Sequence, residues 1–174
     1  MQSWMRTALV GLLVTACASE APRSSAAQDS KPRKDASGID ACSLLTTEDI
    51  EGATGWKPEA TDPDTYGRTA TCNYHRADGT KVQTVVLIVS PGMRVLESSA
   101  GMAEWRTQQA ERHPDIKMVI RPVDGLGVPA ISSQTEGDQV PTLEASAKGL
   151  LLALRSSSLE VSKALAAKAI ARLP

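Results

Sequence analysis

The chain has 174 residues, with 19 bases against 20 acids. A balance so close to neutral gives no electrostatic ground for binding nucleic acid or an anionic membrane surface. Three Trp, two Tyr and no Phe leave few stacking platforms for single-stranded nucleic acid and no material for an aromatic-lined pocket.

Residues 1–16 have the three parts of an export signal: Arg6, an apolar run over 8–14, and small residues before a cut. The run is too short to cross a bilayer as a helix, which needs about 20 residues. It ends in Leu12-Leu13-Val14-Thr15-Ala16-Cys17, which reads as a lipobox. Cleavage before Cys17 would leave its thiol to carry a diacylglycerol, and a multiply acylated Cys17, palmitoylated for example, would tether the chain to a lipid bilayer. Each buried CH₂ contributes about 0.8 kcal/mol to such an anchor. The competing reading is plain secretion, because Ala16-Cys17-Ala18 also satisfies a small-x-small cleavage rule. Ala18, rather than Asp, after the cysteine suits the outer membrane of a two-membrane cell, or the outer face of the membrane in a one-membrane cell. The expected address is therefore the cell envelope.

After cleavage 158 residues remain, with 18 bases and 20 acids. Residues 17–38 form the lipidated cysteine and a linker of Ala, Ser and Pro. With no large apolar side chain, the linker cannot bury enough surface to offset chain entropy, so disorder is expected. Lys31-Pro32-Arg33-Lys34 is a basic cluster within it, read as solvated. Residues 39–174 are then one domain of 136 residues, enough for one core.

With Cys17 acylated, Cys42 and Cys72 are the two cysteines left, and in an oxidising compartment a disulfide between them is the default. Closing a loop of about 30 residues would stabilise the fold by roughly 3–4 kcal/mol. The rival reading is a reactive thiol, with only His75 near.

The domain opens with a short helix. Thr46 or Thr47 caps it, Glu48 and Asp49 occupy its first turn, and Gly52 or Gly55 ends it. Residues 55–68 have Pro58, Pro63 and two glycines and no period, which predicts a long loop. Residues 69–76 and 81–89 read as strands joined by the Asp78-Gly79 signal of a tight hairpin. Val85 to Val89 is continuously apolar and predicts a central strand covered on both faces. From Met93 or Arg94 to Arg112 the period turns helical. Val95, Leu96, Met102, Ala103, Trp105 and Ala110 lie on one side, Glu97, Glu104 and Glu111 on the other, and His113-Pro114 stops it. Residues 116–120 and 128–133 are strand-like, and 142–148 turns through Lys148-Gly149 into the apolar strand 150–155. Ser157-Ser158-Leu159-Glu160 reads as a capping box opening a helix to Leu173, with Leu159, Leu165, Ala166, Ala169, Ile170 and Leu173 on one face. The expected fold class is α+β, a mainly antiparallel sheet flanked by helices in the order α-β-β-α-β-β-β-α, with one disulfide.

A lipobox, a linker, Cys42-Ser43-Leu44-Leu45-Thr46 with Asp49-Ile50 behind it, Cys72 followed by Tyr74, and an Ala-rich terminal helix ending Ala171-Arg172-Leu173 form a set. It resembles the small cysteine-paired lipoproteins of unknown function common in mycobacteria and their relatives. That family usually has Trp where Tyr74 stands. The resemblance covers residues 40–174 and implies a Cys42–Cys72 disulfide and an antiparallel sheet flanked by helices. It implies no activity.

Chemistry-bearing motifs are few. No G-x-S-x-G elbow, H-E-x-x-H pair or P-loop is present. Gly125-x-Gly127-x-x-Ala130 imitates a dinucleotide fingerprint, but Pro129 and the following strand deny it a helix N-terminus. His75 and His113 read as structural or solvated. Glu59, Asp62 and Asp64 could hold Ca²⁺, but two prolines and the lack of EF-hand spacing favour a solvated loop. No cofactor and no metal are expected. The 55–68 loop also carries Trp56, Lys57, Tyr66 and Arg68, a candidate contact surface on a segment long enough to be functional. Trp56 folding back to seal the core is the competing reading. The expected function is a non-enzymatic binding or interaction module, tethered at the envelope, for an envelope protein or a small ligand. The alternatives are a hydrolase-like envelope enzyme with an unrecognised site and an architectural lipoprotein of a larger assembly.

Overall fold

The computed structural model describes residues 38–77, 82–91 and 97–174. The expected signal peptide, Cys17, the expected linker up to residue 37 with its basic cluster, the expected Asp78-Gly79 turn, and Val95 and Leu96 lie outside them. A 3-10 turn, Ala41–Ser43, precedes the first helix, α1 (Thr47–Thr54). Thr46 is its cap: the hydroxyl accepts from the Asp49 N–H at 3.2 Å, while the Asp49 carboxylate accepts from the Thr46 N–H at 2.9 Å. Two orphan donors are satisfied at once. Gly55, at φ 76°, ends the helix with its N–H on the Glu51 carbonyl at 2.8 Å.

The expected long loop is a correction, because most of it is a strand. β1 (Ala60–Tyr66) runs antiparallel to β2 (Thr69–Ala77), Pro63 opposite Cys72 and Tyr66 opposite Thr69. Its side chains are largely exposed and it lies at the sheet edge. An edge strand needs no apolar alternation and tolerates a proline, so it left no period to read.

β2 pairs with β3 (Val82–Pro91), α2 (Ser99–Glu111) follows, and then come β4 (Met118–Pro122), β5 (Ala130–Thr135), β6 (Thr142–Ala147) and β7 (Leu150–Arg155). The chain ends in α3 (Leu159–Arg172). The strands make one antiparallel seven-stranded sheet in the order β1-β2-β3-β7-β6-β5-β4. The domain is α+β with helices packed on the sheet, as composition and pattern lead one to expect.

Alternation sorts the sheet into two faces. Ala70, Cys72 and Tyr74 of β2, Val85, Leu87 and Val89 of β3, Leu152 and Leu154 of β7, and Leu143, Ala145 and Ala147 of β6 are buried on one. The α1–α3 pair lies over this face, bringing Ile50, Leu165, Ala166 and Ala169 into the same core. On the other, α2 covers β4 and β5, where Met102 and Ile131 are fully buried. Val86 and Ile88 of β3, and Leu151 and Ala153 of β7, are only half-buried there. The β3 strand is central, as expected, but complete cover on both faces is not what forms.

The starts of two helices differ from expectation. Ser158, not Ser157, opens α3, its hydroxyl accepting from the Val161 N–H at 3.2 Å; Glu160 instead sits 3.9 Å from Lys163. Described α2 starts at Ser99, where the Ser98 hydroxyl accepts from the Gly101 N–H at 3.1 Å.

Cys42 and Cys72 are bonded, with Cα atoms 5.0 Å apart. The bond ties the 3-10 turn to β2, and beside it the Tyr74 hydroxyl donates to the Leu45 carbonyl at 3.1 Å. In the folded protein, alkylation without reductant should label neither cysteine, and reduction should lower the melting temperature by an amount matching about 3–4 kcal/mol. Free labelling of both thiols would contradict the crosslink.

Candidate contact surfaces and the ionic sites beside them

Of the residues read as one contact surface, Trp56 is 7% exposed and belongs to the core. This corrects its assignment to a contact surface: the chain leaves Gly55 turned inward, and the indole seals the end of the core beside α1. Lys57 stays exposed. Tyr66 and Arg68 flank Gly67 at the tip of the β1–β2 hairpin, where Gly67 adopts φ 61° to make the turn. Arg68 is exposed and Tyr66 is 87% exposed, the most open large apolar side chain among those described. Tyr66 and Arg68 therefore share the hairpin tip, and Trp56 does not join them.

Glu59, just before β1, and Asp62 and Asp64 within it are all exposed. Among the described residues no group of three or more His, Cys, Asp or Glu side chains is placed to hold a metal ion. His75 shares a 3.4 Å contact with the Thr84 hydroxyl, and His113 is exposed beyond α2. Gly125 and Gly127 sit at φ 89° and 70° in a turn leading to β5, so the glycines serve the turn.

Three buried polar sites were not legible in advance. Asp49 is 8% exposed, and its carboxylate meets the Arg172 guanidinium, with the Lys168 ammonium 3.5 Å away. The hydrogen bond from Arg172 holds the Asp49 carboxyl well below the usual carboxylate range, overcoming burial, with help from the Thr46 N–H. Arg172 also donates to the Leu44 carbonyl at 2.9 Å, so one side chain fastens the end of α3 to both ends of the α1 cap. The T-x-x-D pattern signals a cap, but nothing in it points 123 residues onward to Arg172. Second, burial pushes the Tyr74 hydroxyl above its usual range. Third, Glu144 on β6 is 3% exposed, accepts from the Ser133 hydroxyl at 2.7 Å and lies 3.2 Å from the Arg106 Nε of α2. A buried charge of that kind is stable only when paired. Here it pins α2 to the sheet.

Among the described residues, several shallow concave regions lie open to solvent. One lies between β4 and the β5–β6 turn, lined by Lys117, Val119, Gln134 and Glu136, and another beside Asp49 and Lys168. Ile116 and Val119, at the β4 end of the sheet, are 42% and 54% exposed. No helix among the described residues is long and apolar enough to cross a membrane. No family model, curated protein or solved structure matches this chain.

Trp56→Ala should destabilise the domain by about 3–5 kcal/mol in chemical unfolding, as for other buried tryptophans; an unchanged midpoint would return Trp56 to the surface. The pH dependence of stability should carry the Asp49 signature. Its pKa is depressed on folding, so its stabilisation is complete above the unfolded carboxyl value of about 3.9 and is lost as pH falls below it. Asp49→Asn should melt lower than the parent at neutral pH, and the gap should narrow as pH drops below about 4. A gap independent of pH would contradict this.

Proposed function

We propose that the chain is a lipoprotein tethered at the cell envelope that works as a non-enzymatic contact module, of the kind its opening Cys42-Ser43-Leu44-Leu45-Thr46 resembles. The observation that carries the contact role is Tyr66, 87% exposed beside Arg68 at the tip of a hairpin. Exposed tyrosine and arginine are both residue types enriched where proteins bind one another. The hairpin is held from behind by the disulfide, since Pro63 of β1 lies opposite Cys72. A partner would then order little chain on binding, which limits the entropic cost.

Support for the tether comes from the apolar run ending at Cys17, and from the Cys42–Cys72 bond, which suits an oxidising compartment. The strongly shifted ionisable groups, Asp49 and Tyr74, are both engaged in holding α1 and the sheet together, which supports a contact role over acid–base chemistry.

Two arms test the reading. Expressed with its natural leader, the full chain should partition into detergent and carry acyl mass on Cys17, and Cys17→Ser should lose both. A mature chain starting at Ser19 with no lipid would place it among ordinary secreted proteins. In the second arm, Tyr66→Ala with Arg68→Ala should reduce capture of envelope components at least tenfold while leaving the melting temperature within a degree or two. Capture equal to the parent would remove the hairpin tip from the contact surface.

A further inference from the structure

The two edges of the sheet are built differently. β1 carries Pro63 between Asp62 and Asp64, the kind of charge and proline that blunts an edge. β4 carries Met118, Val119 and Ile120 in succession, with Ile116 just before them, and Val119 is 54% exposed. Among the described residues no strand lies beyond β4.

The bonding pattern fixes which backbone groups face outward. The Val123 N–H donates to the Ala130 carbonyl at 2.9 Å, and the Glu136 N–H donates to the Lys117 carbonyl at 2.9 Å. The register between them pairs Val119 with Gln134 and Arg121 with Ser132. Antiparallel ladders alternate, so Val119 and Arg121 commit their backbone groups to β5, flanked by the Lys117 C=O and the Val123 N–H, while the Val123 C=O accepts from the Ser99 hydroxyl of α2 at 3.3 Å. The N–H and C=O of Met118 and Ile120, and the C=O of Pro122, point the other way. Only an extended strand supplies donors and acceptors at that spacing.

We infer that the occupant of this edge is the same edge of a second copy of the chain, antiparallel, with Ile120 on the two-fold axis. In that register Ile120 exchanges both backbone bonds with its counterpart, and each Met118 N–H meets a Pro122 carbonyl across the seam. The missing Pro122 N–H falls at the rim, where water serves the facing carbonyl. Val119 lies opposite Arg121, whose methylene stem covers the exposed valine. Centring on Val119 instead would set Lys117 opposite Arg121, like charges on directly facing positions. A self-complementary edge of this kind closes as a two-fold dimer rather than growing a filament. α2 packs over β4 and β5 on one face of the sheet and is tied away from the seam by two contacts: its Ser99 hydroxyl accepts from the β5 Ala130 N–H at 3.0 Å, and its Arg106 reaches Glu144 on β6. A ladder this short buries less than the roughly 1,200–2,000 Å² of a durable interface, so the dimer is concentration-dependent. The inference is independent of the lipid tether.

The test is residue-resolved amide exchange and sedimentation on the purified full chain, up to about 1 mM, where a dissociation constant of that order is half-saturated. As concentration rises, the Met118 and Ile120 amides should slow and the mass should approach that of two chains, while the Val119 and Arg121 amides are protected throughout. Ile120→Pro removes the central donor and should hold the chain monomeric. If that variant does not fold, the register is tested at the surface. Val119→Lys should weaken and Val119→Glu tighten association roughly two- to thirtyfold each, since the pair with Arg121 occurs twice. A single-chain mass at every concentration, a dimer with unchanged Met118 and Ile120 amides, or equal effects of Lys and Glu at Val119 would each overturn it. So would protection of those amides only after envelope extract is added, which would assign the edge to a strand of another protein.

Discussion

The Cys42–Cys72 bond sets where the first thirty residues of the domain can go. It fixes the 3-10 turn against β2, and from that point the chain must run over the buried face of the sheet. Leu44, Leu45 and Ile50 then fall into the core, and the Tyr74 hydroxyl, two residues past Cys72, lies within reach of the Leu45 carbonyl. The same placement carries Asp49 to the end of α3. A buried carboxylate would be costly there alone, but Arg172 and Lys168 meet it from the last turns of the C-terminal helix. Covalent, hydrogen-bonded and ionic links thus join the start of the domain, the second strand and the chain's end in one corner.

The opposite face is held by a different device. α2 is weakly amphipathic and buries Met102 as its one fully enclosed side chain. Its position comes from polar groups, with Ser99 bonding the β5 backbone and Arg106 pairing with Glu144. Apolar burial does most of the work on one face and directed polar contacts on the other. That division matches the burial of β3 and β7, whose residues facing α1 and α3 are sealed while Val86, Ile88, Leu151 and Ala153 are half-buried.

Periodic signals carried the interior of the fold. The hairpin signal after β2, the turn joining β6 to β7, the apolar runs of β3 and β7, and the face of α3 were readable, because each rests on a local turn or on one regular set of buried side chains. The disulfide was readable from the cysteine count and the expected oxidising compartment. β1 was not, because an edge strand with Pro63 and two aspartates is built to avoid the pattern that announces a strand. The candidate site was less legible still. Trp56, Tyr66 and Arg68 share a segment in sequence, yet a left-handed Gly55 turns the first inward while the hairpin carries the other two out. The Asp49–Arg172 and Glu144–Arg106 pairs join residues distant in sequence, and no local pattern encodes them. The open β4 edge became visible only through the pairing register, which shows which amides face outward.

The most direct test of the corner's role is native-state hydrogen exchange on the folded protein with the Cys42–Cys72 bond reduced. If the crosslink positions α1 and through Asp49 the end of α3, the amides of α1 and of the last turn of α3 should lose protection together, while β3, β6 and β7 keep theirs. Loss of protection spread evenly over the whole sheet, or an α3 terminus untouched by reduction, would contradict it.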